Sequence, residues 1–205
     1  TDRTTASNYT SIYHAEIKVS RTQAKISQWG IGNEFDYQAM KAVPGLMRQL
    51  ERHVLRGSTI SAGSATTPRV MGGLPAYLTA NASTGTSLTK AMFETVVGYA
   101  FADGGTGPWI APLSPTNFQK VSGFYETSAY LRVERGETKR GMPPVDEIIT
   151  PFGSVFTLLD RWAVNGTIYI VDAKNVGMYT YDPFFQEPLA KDGDYEKGQV
   201  VGEFT

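Results

Sequence analysis

The chain has 205 residues, of which 41% are hydrophobic and 19% charged, with 19 Lys plus Arg against 20 Asp plus Glu and no cysteine. That length suits one large domain or two small ones sharing a core, and the composition is that of a folded globular protein. A net charge of −1 gives no electrostatic case for a dedicated nucleic-acid binder, and the lack of cysteine excludes disulfides, thiolate zinc sites and a Cys nucleophile.

No apolar run approaches the roughly 18 residues that a membrane-spanning helix requires. The opening TDRTTASNYT lacks the apolar core of a signal peptide and does not begin with Met, so a fragment or a processed product is expected. Residues 1–7 are polar and read as an arm. Tyr9, Ser11, Tyr13, Ala15, Ile17 and Val19 then share one parity, with Thr10, Ile12, His14, Glu16 and Lys18 on the other. Period two over that length predicts a strand. Residues 21–32 form a connector in which Trp29 and Ile31 are expected to anchor the lead-in to a long helix.

That helix, 33–57, is the longest amphipathic stretch. Phe35, Ala39, Val43, Leu46, Leu50 and Val54 recur three or four residues apart, and Met40, Met47 and Leu55 widen the stripe. Asn33 is the expected N-cap, Glu34 and Asp36 suit the first turn, and Gly57 supplies the stop. At 1.5 Å per residue the helix would reach roughly 36 Å. Pro44 removes an amide donor beside Gly45, so a kink or a break is expected there.

After Gly57, STISAGSATTP reads as a loop or a low-order insertion, and Gly72-Gly73 as a tight turn or a close backbone approach. A second helix starts at an N-cap Thr89, carries Met92, Val96, Val97, Ala100 and Phe101 on its apolar face, and ends at Asp103-Gly104-Gly105. Residues 108–113 suit a short buried strand. Ser114-Pro115 then begin a helix to about Ser122. Residues 123–144 are polar, with a weak basic cluster of Arg132, Arg135, Lys139 and Arg140 interrupted by Glu134 and Glu137. Strands are expected at 145–150 and 155–159 around a Phe152-Gly153-Ser154 turn, and Asn165-Gly166 marks a turn before Ile168, Ile170 and Val171. A strand at 176–181 follows, then a Pro- and Gly-punctuated loop into a last strand, 199–204, after which more chain is expected. The whole reads as α+β, with strands from both chain ends beside the long helix and the middle as a separate α/β lobe.

Residues with obvious chemistry are sparse. His14 and His53 have no carboxylate or second histidine at ligand spacing. Gly30-Ile31-Gly32 lacks the third glycine and the preceding strand of a dinucleotide fingerprint, and Ala62-Gly63-Ser64-Ala65 lacks the second glycine of a nucleophile elbow. Asp192, Asp194 and Glu196 could bind calcium, but a full loop is missing and Lys191 and Lys197 offset the charge, so a solvated or salt-bridged loop is expected. Asp146 and Glu147 would point to opposite faces of a strand. The aromatic group Phe152, Phe156, Trp162, Tyr169, Tyr179, Tyr181, Phe184 and Phe185 suits core and interface, with core use covering most of it. No catalytic, cofactor or metal residue is assigned. A structural or assembly protein and a binding module both fit, with an enzyme of dispersed site third.

The tail narrows this. Pro183-Phe184, Gln186-Glu187-Pro188-Leu189-Ala190-Lys191, Gly193-Asp194, Glu196-Lys197, Gln199 and Gly202-Glu203-Phe204-Thr205 closely resemble the C-terminal signature of major head (capsid) proteins of tailed bacteriophages with the Hong Kong 97 fold. Asn8-Tyr9-Thr10-Ser11-Ile12, Val19-Ser20, Thr22-Gln23, Arg69, Met71-Gly72-Gly73-Leu74, Leu88-Thr89, Thr150-Pro151-Phe152-Gly153 and Val155 follow the family's order. The resemblance implies a spine helix at 33–57 and a peripheral (P) domain of residues 1–66 and 183–205. Residues 67–182 would be an axial (A) domain. It implies a non-enzymatic protein without cofactor that self-assembles, as pentamers and hexamers, into an icosahedral head. The head would form in the bacterial cytoplasm and hold double-stranded DNA without sequence-specific contacts or a membrane. Decoration, portal or scaffolding proteins are further partners it allows. Family members carry an N-terminal arm and an extended (E) loop ahead of the point where this sequence starts. Residues 123–144 and Pro44-Gly45 depart from the pattern. An encapsulin-like nanocompartment shell of the same fold is the rival reading, and a small-ligand module or dispersed-site enzyme stands behind it.

Overall fold

The computed structural model describes residues 7–26, 29–126, 147–190 and 193–205. Expectations placed on residues 1–6, Arg132, Arg135, Lys139, Arg140, Asp146, Lys191 and Asp192 lie outside the described residues. The fold is mixed α+β with two sheets. It divides into two compact units, Thr1–Ala76 with Met178–Thr205, and Tyr77–Gly177.

In the first unit, strand β1 (Ser11–Ser20) keeps the sequence parity. Ser11, Tyr13, Ile17 and Val19 are buried, while Ile12 and the charged residues between them are exposed. β1 pairs antiparallel with the last strand, β7 (Tyr195–Phe204), from Ser11↔Phe204 to Ser20↔Tyr195 without a break. Strand β6 (Thr180–Pro188) flanks the other side of β7, giving the order β1-β7-β6. Here the expected loop after residue 181 is instead strand. Pro183 is accommodated because β6 is an edge strand whose register shifts on both sides of Asp182, and edges and bulges are where a missing amide costs least.

Short helix α1 (Arg21–Lys25) follows β1, capped by Ser20 Oγ accepting from the Gln23 amide. Trp29 is fully exposed and does not anchor the connector, while Ile31 is half-buried. Helix α2 (Glu34–Arg56) then lies on the sheet. Phe35, Ala39, Leu46 and Leu50 pack against Tyr13, Ile17, Val19, Val200 and Phe204. Asn33 caps it by accepting from the Phe35 amide at 3.0 Å. Met40 and Met47 do not widen the buried stripe: they are 75% and 53% exposed.

No break occurs at Pro44, and α2 runs through it. Pro44 sits on the solvent side, so the Met40 carbonyl it leaves unpaired can be served by water, and Gly45 meets no neighbour that would force the backbone apart. On the opposite face Phe35 and Ala39 before the proline and Leu46 and Leu50 after it share one core with the sheet, which ties both halves down. Replacing Pro44 with alanine restores the missing amide. We expect the isolated chain to gain about 1–3 kcal/mol, read by urea denaturation, with helix content unchanged.

Beyond α2, the small-residue loop is built rather than loose. Ser61 bridges Val70, and Ser64 Oγ accepts from the Thr66 and Thr67 amides. Met71 then returns to the core, its amide donating to Ser11 Oγ at 2.7 Å. Gly72 donates to Asn8 Oδ1 at 2.8 Å, and Gly73 to the Gly57 carbonyl at 2.9 Å. A Cβ on Gly73 would overlap the carbonyl oxygens of His53 and Val54, which is the close approach the glycine pair predicts. Helix α3 (Leu74–Tyr77) follows.

The second unit is a four-stranded sheet, order β3-β4-β2-β5. Helix α4 (Lys90–Ala102), capped by Thr89, buries Phe93 and Val97. Phe101 is exposed, so the buried face is rotated from the expected one. Strand β2 (Trp109–Leu113) is almost wholly buried, and Ser114 caps helix α5 (Pro115–Glu126), one turn longer than expected. The hairpin of β3 (Glu147–Thr150) and β4 (Gly153–Leu159) turns at Pro151-Phe152, with Gly153 already in the strand at φ +132°. β4 runs parallel to β2. Strand β5 (Val171–Asp172) is only two residues long, and Ile168 and Ile170 pack on the core from outside it.

Candidate assembly surface

The polar groups resolve into structural pairs. His14 is exposed on β1. His53 faces Tyr13, with the Tyr13 hydroxyl 2.7 Å from His53 Nδ1, and its ring also bonds the Met71 carbonyl. The Met71 carbonyl can only accept, so the imidazole donates to it, and the direction of the Tyr13 bond follows from the ring tautomer. Burial holds His53 below its ordinary value despite the Met71 bond, and burial pushes Tyr13 up to about 12 against a hydrogen bond from Ser11. This triangle joins β1, α2 and the glycine-pair loop. A histidine lowered in the folded state takes its proton more readily when unfolded. Its contribution to stability is therefore complete above about pH 6.5 and is lost as pH falls below that value. We expect the unfolding midpoint of the first unit to drop between pH 6.5 and 5. In His53→Gln that histidine-linked part of the slope should be absent, as checked by urea melts at several pH values.

Asp194 pairs with Arg21 at 3.0 Å, both exposed, which is the salt-bridged loop the sequence suggests; Asp192 is outside the described residues. Glu203 takes the Arg69 guanidinium at 2.9 Å and the Thr10 hydroxyl, tying β1, β7 and the long loop. Glu147 is exposed at the start of β3. Gly30 and Gly32 meet no neighbouring atoms, so they cradle nothing. Among the described residues, no group of three or more His, Asp or Glu is placed to hold a metal ion. No helix there is long and apolar enough to cross a membrane.

The apolar surface is the larger signal. Of the grouped aromatics, Phe184 packs on the core against Phe204 and Trp162 and Tyr169 are half-buried, but Phe152, Phe156, Tyr179, Tyr181 and Phe185 are exposed, so core use does not account for most of them. Tyr179 and Tyr181 are 76% and 77% exposed, and Phe185 on β6 is also exposed. In the second unit the two faces of the sheet differ sharply. One face carries Trp109, Ala111, Leu113, Ile148 and Val155, which pack on Phe93, Val97, Val121 and Tyr125 of α4 and α5. The opposite face carries Ile110 and Pro112 of β2, Val171 of β5, Phe156 and Leu158 of β4, and Ile149 of β3; its β2–β5 half is buried or half-buried. Register places Phe156 between Glu147 and Ile110, and Leu158 beside Pro112. Phe156, Leu158 and Ile149 are all exposed, and among the described strand residues Glu147 is the single charge on the face. A third strip runs along the outer side of α2, where Tyr37, Met40, Pro44 and Met47 recur at helical spacing.

Contiguous exposed apolar faces mark association surfaces, and methionines make them adaptable. The sequence does carry the sign of the sheet face. GSVFTLL is apolar on both parities, as in a strand covered on both sides. In this chain α4 and α5 cover one side.

A family model described as SU10 major capsid protein matches residues 1–205. No curated protein matches the chain.

Proposed function

This chain belongs to the SU10 major capsid protein family, and from that membership we propose that its copies form pentamers and hexamers of a closed icosahedral phage head around double-stranded DNA. The family is structural and its place is the virion shell, where the protein assembles with itself. The observation that carries the reading further is the exposed apolar group Ile149, Phe156 and Leu158 on the β3–β4 half of the four-stranded sheet, which a subunit meant to stay alone would not keep bare. We read the fold as the Hong Kong 97 type. α2 would be its spine helix, the unit holding both chain ends its peripheral domain, and the unit Tyr77–Gly177 its axial domain. The near-zero net charge suits a container that holds DNA without gripping it. A heterologous contact repeated around a ring closes into a capsomer, whereas an isologous one stops at a dimer.

Electron microscopy of the full-length product tests the reading. Closed shells of uniform size, with nuclease-protected double-stranded DNA in those from infected cells, are expected. Only monomers or small oligomers under conditions where related head proteins assemble would refute it, and shells that enclose a cargo protein instead of DNA would point to a nanocompartment.

A further inference from the structure

We propose that the outer edge of β1 is a strand-acceptor site, filled in the shell by an extended segment of a second copy of this chain. The proposal rests on the shell reading and names one contact within it.

The three-stranded sheet has two edges, and they are built differently. The β6 edge carries Pro183 and Pro188 and two breaks of register, features that discourage a further strand. The β1 edge has none of these. Its ten residues, SIYHAEIKVS, contain neither Pro nor Gly and hold one register throughout. Between Ser11 and Val19, the amides and carbonyls that face away from β7 find no backbone partner among the described residues. An edge left regular beside one that is blunted is a template for pairing.

Among the described residues, access is open along the second half of that edge. A cleft of about 660 Å³ runs beside the second half of β1, lined by residues 16–20 on one wall and by Gln23, Glu34, Gln38 and Lys41 on the other. Consecutive strand residues of both parities line it, so the cleft meets β1 edge-on rather than across a face.

The cleft also asks for a donor. Glu34 Oε1 accepts from Gln38 Nε2 at 2.6 Å, but Glu34 Oε2 is buried with no partner among the described residues. The nearby cations are turned elsewhere. Lys18 lies 3.4 Å from the Tyr195 ring centroid, Lys41 lies over the Tyr37 ring, and Lys197 pairs with Glu16 at 3.1 Å. An incoming strand brings what both features lack: backbone amides for the edge and an N–H for Glu34. A second copy is the occupant because a shell of one protein sets copies against one another in a repeated relation, so a single such contact serves every subunit.

Hydrogen exchange of the full chain, read by mass spectrometry on peptides spanning residues 10–19 before and after assembly, tests this. The outward amides of β1 should slow by at least roughly tenfold on assembly, while those along β6 change little. Glu34→Met, which keeps the volume but removes the acceptor, should lose part of that slowing, while the free subunit stays folded and its urea midpoint falls only by the small contribution of a first-turn acid and its Gln38 bond. β1 amides already slow in the free subunit would show that the chain covers its own edge and would overturn the proposal. Shells that form with β1 exchange unchanged would overturn it while leaving the shell reading intact. If no shells form, the shell reading fails and this contact with it.

Discussion

Phe156→Lys with Leu158→Lys is expected to abolish shell formation and leave the subunit folded. Both side chains are already largely in water, 42% and 57% exposed, so the substitutions remove little core. Lys at 156 stands directly across from Glu147 and gains a cross-strand ion pair. The strand interior is untouched, because Val155 and Thr157 face the opposite side. Against a neighbouring copy the outcome reverses. Two ammonium groups would have to leave water without partners, at a cost of several kcal/mol per contact, repeated at every copy of the interface. Sedimentation velocity should show monomer or capsomer-sized species in place of shells, with the circular dichroism spectrum retained. Shells formed at wild-type yield would remove this face from the assembly surface.

Trp109→Ala is expected to unfold the second unit. Trp109 is 2% exposed, starts β2, and its ring lies so close to Gly105 that a Cβ there would overlap it. Truncating a buried Trp costs about 3–5 kcal/mol, against a total of about 5–15 for an ordinary domain. Urea denaturation should show an early transition that takes out the amides of residues 90–126 and 147–172 in hydrogen exchange. Trp109→Phe should cost less. It fills most of the space and removes an indole N–H that is buried without a partner among the described residues. An unchanged urea midpoint in Trp109→Ala would mean that the core of this unit lies elsewhere.

Much of this architecture is legible in the sequence, where the period and the caps agree. The alternation in β1, the Asn33, Thr89 and Ser114 caps, and the 3.6-residue stripe from Phe35 to Leu50 each name their own element. Gly72-Gly73 also announces its close approach, because only glycine can lie against the His53 and Val54 carbonyls. The errors share a physical source, which is that local chemistry does not know its neighbours. Pro44 argues for a kink or a break, and of these the break does not occur, since α2 continues through it above the sheet. Pro183 argues for a loop, but an edge strand tolerates it. Met40, Met47 and Phe101 look like core by hydropathy and are exposed by rotation.

The surface is harder to read than the fold. A hydrophobic residue that awaits a partner copy has the same letter as one already in the core. The tail motif points to a major capsid protein before any surface can be weighed, and the whole-length family match agrees on that role. What the sequence could not separate was core aromatics from interface aromatics. Only exposure does that, by placing Phe156, Tyr179 and Tyr181 in water.

A reconstruction of the assembled shell at side-chain detail tests most directly the central claim, that the bare apolar faces are made to be covered by copies of the same chain. It should show Ile149, Phe156 and Leu158 buried against an adjacent subunit. A closed shell in which those three side chains still face solvent would contradict the account.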